Sequence, residues 1–290
     1  MPADLLLVGR RPISAPRPAH VLISDVTTRG CWDVIAARAD IVFFVAGNSS
    51  VHAAAARPAE SEVVALLPLR HLTEAARTSG RPFRVVHASS SRVYGTSTDA
   101  PAREEDAAPV TPFGRHCLLA EEFLATESRG SGLEPVSLRV GNVYGPSPGD
   151  APQGKVVLNR IARLAVQGAD IPLYGDGNYL RDHVYIDDVV RAFLAAGAHP
   201  GVAGAFNVAS GASVTMRDAF ELVAERAARL TGRRSRICEV AWPSGESPIE
   251  IRSFRADVRK FSGTTGWMPR VSLSEGIDRL VQVCGFDPTP

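Results

Sequence analysis

Short runs of β-branched and aliphatic residues alternate with longer amphipathic stretches through the first half of the chain. Apolar runs at 4–8, 20–23, 40–45, 83–87 and 135–140 read as strands, and several carry apolar side chains at successive positions instead of every second one. Strands of that texture are buried on both faces, as in a parallel sheet flanked by crossover helices. Residues 60–79 set Val63, Leu66, Leu67, Leu72 and Ala75 toward one side and stop at Gly80 and Pro82; residues 113–128 bring Leu118, Leu119 and Leu124 together. Both read as crossover helices of an α/β fold.

After Tyr144 the texture changes. Pro146, Pro148 and Pro152 among glycines predict a linker, and 155–167 predicts a helix stopped by Gly168. Gly175-Asp176-Gly177-Asn178 is a turn cluster. A further helix follows Tyr185 to about residue 199, capped by Asp187 or Asp188, and Thr215 with Asp218 three residues on caps another to about residue 230.

Composition narrows the class without naming it. At 290 residues, 45% hydrophobic and 22% charged, the chain is globular. A net charge of +1 gives no general attraction to nucleic acid or anionic membrane. No apolar run approaches the roughly 18 residues of a membrane span, and Leu5 to Val8 is too short for a signal-peptide core. A cytoplasmic protein without nucleic-acid or membrane partners is the expectation. Cys31, Cys117, Cys238 and Cys284 form no CxxC pair and no metal spacing, which predicts reduced thiols and no metal. Of 32 basic side chains only Lys155 and Lys260 are lysines.

Six stretches occur in a telling order. They are Ala39-Asp40-Ile41-Val42-Phe43-Phe44-Val45-Ala46; Ser89-Ser90-Ser91-Arg92-Val93-Tyr94-Gly95; and Arg139-Val140-Gly141-Asn142-Val143-Tyr144-Gly145-Pro146. Then come Tyr174-Gly175-Asp176-Gly177 with Arg181-Asp182-His183-Val184-Tyr185-Ile186-Asp187-Asp188-Val189; Phe206-Asn207-Val208; and Gly266-Trp267-Met268-Pro269 followed by Leu273-Ser274-Glu275-Gly276-Ile277. Together they resemble the extended short-chain dehydrogenase/reductase family that epimerises, dehydrates or reduces nucleotide sugars. The stretch from Arg270 to Arg279 looks most like the 4-ketoreductases of deoxysugar pathways.

The resemblance implies a Rossmann-like, doubly wound parallel sheet that binds NAD or NADP at its carboxyl edge, with a smaller C-terminal substrate lobe closing over a nucleotide diphosphate. It places the core at 1–145, with 182–210 returning to it, and the lobe at 146–181 and 211–290. It implies a Tyr acid/base activated by a Lys four residues later, a Ser or Thr beside them, and a dimer built on the two long helices.

This sequence departs from that pattern twice. The first fifty residues hold only Gly9, Gly30 and Gly47, too few for the glycine-rich turn that lets a pyrophosphate approach a helix N-terminus. Residues 10–20 carry three prolines where the first helix and second strand belong, so the sheet is N-terminally abbreviated. Residues 4–8 are then expected as the central first strand, with Gly9 a remnant of the turn. A misplaced start or a deletion would account for the missing glycines, but not for the second departure: Phe113 and Cys117 occupy the family's Tyr and Lys positions. Phenylalanine has no proton to give, and a neutral thiol supplies no fixed positive charge. The expectation is that no nicotinamide cofactor is used and that redox activity is lost or impaired.

Each remaining candidate has a plain alternative. Ser90 matches the catalytic Ser/Thr, or only holds a strand end. His116, one turn after Phe113, is a proton shuttle or a surface imidazole; Cys117 is a nucleophile or a small buried residue; His87 lines the cleft or sits in the core. Asn142, Lys155, Arg181 and Arg252 match or neighbour substrate positions that hold the diphosphate. Their alternatives are a turn-forming Asn, a solvated Lys, an Arg181–Asp182 pair and a surface charge, and Arg255 competes with Arg252. The function this implies is a nucleotide-sugar protein, of dTDP-4-keto-6-deoxyhexose type, in a deoxysugar or secondary-metabolite pathway. The alternatives are a non-redox cyclase, isomerase or lyase acting on a natural-product small molecule, and a pseudoenzyme pairing with an active paralogue; the assembly is a homodimer or such a heterodimer.

Overall fold

The computed structural model describes residues 4–13, 18–47, 50–96, 100–146 and 156–286. In chain order the elements are β1 (Leu6–Gly9), β2 (His20–Ile23), α1 (Arg29–Arg38), β3 (Ile41–Phe44), α2 (Val51–Ala56), α3 (Pro58–Ser79), β4 (Phe83–Ser90), α4 (Pro112–Glu127) and β5 (Leu133–Val140). There follow β6 (Asn142–Tyr144), α5 (Val157–Gln167), β7 (Ile171–Tyr174), β8 (Leu180–Tyr185), α6 (Ile186–Ala198), β9 (Gly204–Val208), β10 (Ser213–Thr215), α7 (Met216–Thr231), β11 (Ile237–Val240), α8 (Pro248–Ile251), α9 (Arg259–Thr265) and α10 (Leu273–Phe286). They form two compact units: Met1–Ser89 with Thr111–Ser137 and Ala203–Ala205, and Ser90–Val110 with Leu138–Val202 and Phe206–Pro290. The division falls elsewhere than at the boundaries drawn from sequence, since Ser90–Val110 and the end of β5 group with the second unit.

The first unit holds β3 and β4, paired in parallel with Phe44 opposite His87. Its core joins Trp32 and Ile35 of α1, Leu69 and Leu72 of α3, and Leu124 of α4 to Phe44, Phe83 and Val85. Both long helices form where the apolar spacing places them, and Gly80, at φ 63°, ends α3 in the left-handed conformation glycine adopts without a steric penalty. The expected central strand is a correction. Among the described strands β1 pairs only with β2, in a separate two-stranded parallel sheet with Leu6 opposite His20. The physical cause is the connection: residues 10–19 contain no described helix, whereas a parallel crossover ordinarily carries one that packs back on the sheet. Without that cover Val21 and Ile23 stay exposed.

The second unit holds a three-stranded sheet of order β10-β8-β6 and the parallel pair β7–β11. Its core packs Leu158 and Ile161 of α5, Phe220 and Val223 of α7, and Ile277, Leu280 and Val281 of α10 around Tyr144, Leu173 and Tyr185. Gly276 is required there, because a Cβ at that position would overlap the Tyr144 hydroxyl. The cap of α7 forms as predicted, Thr215 Oγ1 accepting the Asp218 amide at 3.0 Å. The expected cap of α6 does not: Tyr185 is its N-cap, while Asp187 and Asp188 lie in the first turn. Asp188 instead accepts the amides of Arg270 and Val271, at 2.9 and 3.0 Å. Among the described residues no helix is long and apolar enough to cross a membrane.

Candidate functional site

Three arginines converge in the second unit. Successive side chains of β8 point to opposite faces, so Arg181 and Asp182 part company. Asp182 is fully buried and takes the amides of Ser210, Gly211 and Ala256 and the Ser210 hydroxyl, at 2.6 to 3.2 Å. An Arg181–Asp182 pair is therefore not what holds Arg181. Its guanidinium lies 4.7 Å over the Tyr179 ring and donates to the carbonyls of Leu180, Glu250 and Arg252. Arg252 lies 4.6 Å over Phe254 and donates to the carbonyls of Tyr94, Gly95 and Ser91. Arg92 donates to the Ile249 carbonyl at 3.1 Å and pairs with the Glu250 carboxylate at 3.1 Å. Arg181 and Arg252 are each only 7% exposed, so Arg252 is not a surface charge.

The electrostatics follow from that count. Among the described residues only Arg92 of the three pairs with a carboxylate, that of Glu250, whose charge also acts on Arg181 and Arg252 through space. Burial, then the charge of Arg92, pushes Arg181 down to about 10; burial, then Arg92 and Arg181, pushes Arg252 down to about 9. A buried region that strains to hold its positive charge is favourable ground for an anion with several acceptor oxygens, and guanidinium is suited to phosphate. Arg255 is exposed and contributes no bond of its side chain to this cluster.

Beside the arginines lie Asn142 and a residue that sequence reasoning passed over. Asn142 opens β6 and donates through Nδ2 to the Asp182 carbonyl at 3.2 Å, so it ties two strands together instead of closing a turn. Its register partner on β8 is His183. That imidazole is 8% exposed, and its Nε2 finds no partner among the described residues. Burial, then the charge of Arg181, lowers it to about 3. An unsatisfied buried polar group costs about 1–3 kcal/mol. Ser90 caps the turn that carries Arg92, its Oγ accepting the Arg92 amide at 3.2 Å. Lys155 lies outside the described residues.

The first unit carries Phe113, in the first turn of α4, with His116 and Cys117 on the same helix. His116 is buried, not a surface imidazole: its Nδ1 is 3.2 Å from Ser61 Oγ on α3 and its Nε2 is 3.9 Å from Glu62. Burial lowers its pKa, so it is a neutral base at neutral pH. Cys117 is pushed up to about 12 by burial and then by Glu121, which leaves a neutral thiol and removes it as a nucleophile. His87 sits in the core, stacked 6.0 Å from Phe44 and 3.2 Å from Ser137 Oγ, with burial lowering it to about 4.

A cavity of about 410 Å³ opens at the carboxyl ends of β1 and β2, lined by Gly9, Arg10, Asp25, Thr27, Gly47, Arg57, Glu60 and Ser61 among others. A dinucleotide laid there needs backbone amides at a helix N-terminus to meet its pyrophosphate. No described helix lies between β1 and β2, and the charges along the lining cancel, Arg10 and Arg57 against Asp25 and Glu60. Asp25 already accepts the Thr27 amide and hydroxyl, at 2.9 and 2.8 Å. These residues do not fit a dinucleotide's pyrophosphate.

The fold is Rossmann-like, a mixed α/β arrangement with parallel sheets. Residues 2–209 match the NAD dependent epimerase/dehydratase family, and the chain belongs to that family. It is similar to a UDP-glucose 4-epimerase of Mycolicibacterium smegmatis, with 29% identity over 248 residues, 84% of this chain and 75% of the relative. It is also similar to a dTDP-6-deoxy-L-talose 4-dehydrogenase (NAD(P)(+)) of Kitasatospora kifunensis, with 32% identity over 213 residues, 72% of this chain and 65% of the relative. Among solved structures, a Thermotoga maritima UDP-glucose 4-epimerase with UDP-glucose aligns at TM-score 0.85 and 27% identity, covering 97% of this chain and 90% of that one.

Proposed function

We propose that this chain binds a nucleoside-diphosphate sugar in its second unit and acts on it, or holds it, without hydride transfer through a nicotinamide. The observation that carries this is the buried cluster of Arg92, Arg181 and Arg252, in which Arg92 alone among the described residues pairs with a carboxylate, Glu250. A diphosphate supplies the anionic oxygens the cluster lacks. Phe113 and the neutral Cys117 support the loss of redox chemistry, because a phenyl ring moves no proton and a thiol near 12 provides no cation. The substrate we favour is a dTDP-4-keto-6-deoxyhexose or a close relative, by likeness to deoxysugar enzymes such as the Kitasatospora relative.

Isothermal calorimetry with UDP, dTDP and GDP, each beside its monophosphate, tests this. Binding of at least one diphosphate, weakened in the monophosphate, is expected, with no heat from NADH or NADPH. A chain that ignores all three diphosphates, or that binds NADH tightly, rules the proposal out. A second reading has its own support. The neutral His116, bonded to a serine that lines the first unit's cavity, is placed to accept a proton, which favours isomerisation or elimination over a purely binding role. Turnover without nicotinamide, abolished in His116→Ala, would establish it.

A further inference from the structure

We infer that His183 is a ligand-contacting residue of the second unit, its imidazole donating a hydrogen bond to a diphosphate oxygen of the nucleotide held by Arg181; this rests on the anion site proposed above. Nothing in the sequence motifs singles His183 out, and the case comes from where the sheet puts it.

Strand alternation places Arg181, His183 and Tyr185 on one face of β8 and Asp182 on the other. Side-chain contacts agree: the Tyr144 ring lies 5.4 Å from Tyr185 and 6.1 Å from His183, while Asp182 bonds Ser210 and Ala256. Across the parallel register His183 is paired with Asn142. One face of two strands therefore gathers an arginine, an asparagine and an imidazole.

The unit satisfies its other buried polar side chains. Asn159 bonds both the amide and the carbonyl of Gly145; Asn207 accepts from Tyr94 and donates to Ala102 and Asp257. Arg191 Nη2 and Arg226 Nε make no hydrogen bond, but each of these atoms is ion-paired with an aspartate, Asp188 and Asp278. His183 has no such compensation. An imidazole nine-tenths buried and without a partner at Nε2, on the face that carries Arg181, is the arrangement expected of a group whose partner arrives with a ligand.

Its protonation state suits the role. Burial and the nearby guanidinium keep the ring neutral, so it brings one N–H and one lone pair and adds no charge to a region already rich in cations. A phosphate oxygen is an acceptor only, which fixes the ring as donor toward it.

The test uses the full chain with ¹⁵N-labelled histidine. Calorimetry first establishes whether UDP binds; the imidazole nitrogens are then followed by NMR during titration with UDP and, separately, with uridine. A shift of the His183 nitrogen signals with UDP, absent with uridine, is expected, with His87 unmoved. His183→Phe should weaken UDP binding by about tenfold, the scale of one lost hydrogen bond to a charged group, and His183→Asn should restore part of it. UDP binding that leaves the His183 signals in place overturns this inference alone. Failure of the wild-type chain to bind any of UDP, dTDP and GDP overturns both this inference and the function it rests on; where only dTDP or GDP binds, the same titration is run with that diphosphate against its nucleoside.

Discussion

Glu250→Gln separates an anion site from a merely structural cluster, because the two readings give effects of opposite sign. The Arg92–Glu250 pair is 3.1 Å long, with the side chains 19% and 24% exposed. At an effective dielectric of about 20, opposite charges about 4 Å apart attract by ~4 kcal/mol, and desolvation offsets most of that. Losing the carboxylate while keeping its shape should cost the apo chain roughly 1–2 kcal/mol, a few degrees of melting temperature. Three guanidinium groups would then face each other without a counter-charge. For an incoming diphosphate the same substitution removes a competing negative charge. At roughly 6 Å that charge is worth ~3 kcal/mol, and screening by about half leaves close to a tenfold gain in affinity. Urea denaturation without ligand and calorimetry with UDP read the two effects separately. A variant that keeps its denaturation midpoint and binds UDP more weakly would refute the reasoning, since Glu250 would then be a ligand contact and not the counter-ion of an anion site.

The other predictions concern the first unit and its titrating groups. Cys117, with its thiol near 12, should be about one part in ten thousand thiolate at pH 8 and resist iodoacetamide in the native chain, as mapped by mass spectrometry; rapid native labelling would contradict this. His87 and His183 have folded pKa values of about 4 and 3, below an unfolded value of 6.5, so the unfolded chain takes up protons first as pH falls. Stability present above about pH 6.5 is lost through that window, by roughly 2 kcal/mol from each at pH 5, and His87→Gln should remove about half of the loss in urea titrations at pH 7 and pH 5. Restoring the family pair with Phe113→Tyr and Cys117→Lys should not restore NADH binding, followed by nicotinamide fluorescence, because the phosphate cradle is still missing. Micromolar binding by that double variant would show that the cavity accepts the dinucleotide after all.

Local patterns announced the elements that bury a continuous apolar face. β2 forms at His20–Ile23 as read, and α3 and α4 begin within two residues of the expected positions. Thr215 and Asp218 carry a cap whose chemistry is local and therefore visible. α1 was not visible: its Cys, Trp, Val and Ile residues favour strands as much as helices, and Thr28 gives no side-chain cap. The place of β1 was missed because sequence order alone gives a strand no neighbour. The candidate site divides the same way. Phe113 and Cys117 stand out only through the resemblance, which implies a Tyr and a Lys at their positions. The arginine cluster does not, since Arg92, Arg181 and Arg252 come from three separate segments and only the fold makes them neighbours. His183 was hidden for a different reason, because burial without a partner has no signature in a strand that mixes charged and apolar side chains on both faces.

The reliance of the second unit on α10 bears on how the chain is synthesised. Ile277, Leu280 and Val281 complete a core that Tyr144 and Leu158 begin, with Gly276 seated against Tyr144. A nascent polypeptide still short of Val281 on the ribosome leaves that greasy surface uncovered, and β8, which bears Arg181, lacks its neighbour α10. Translation must therefore pass Val281 before this core can close.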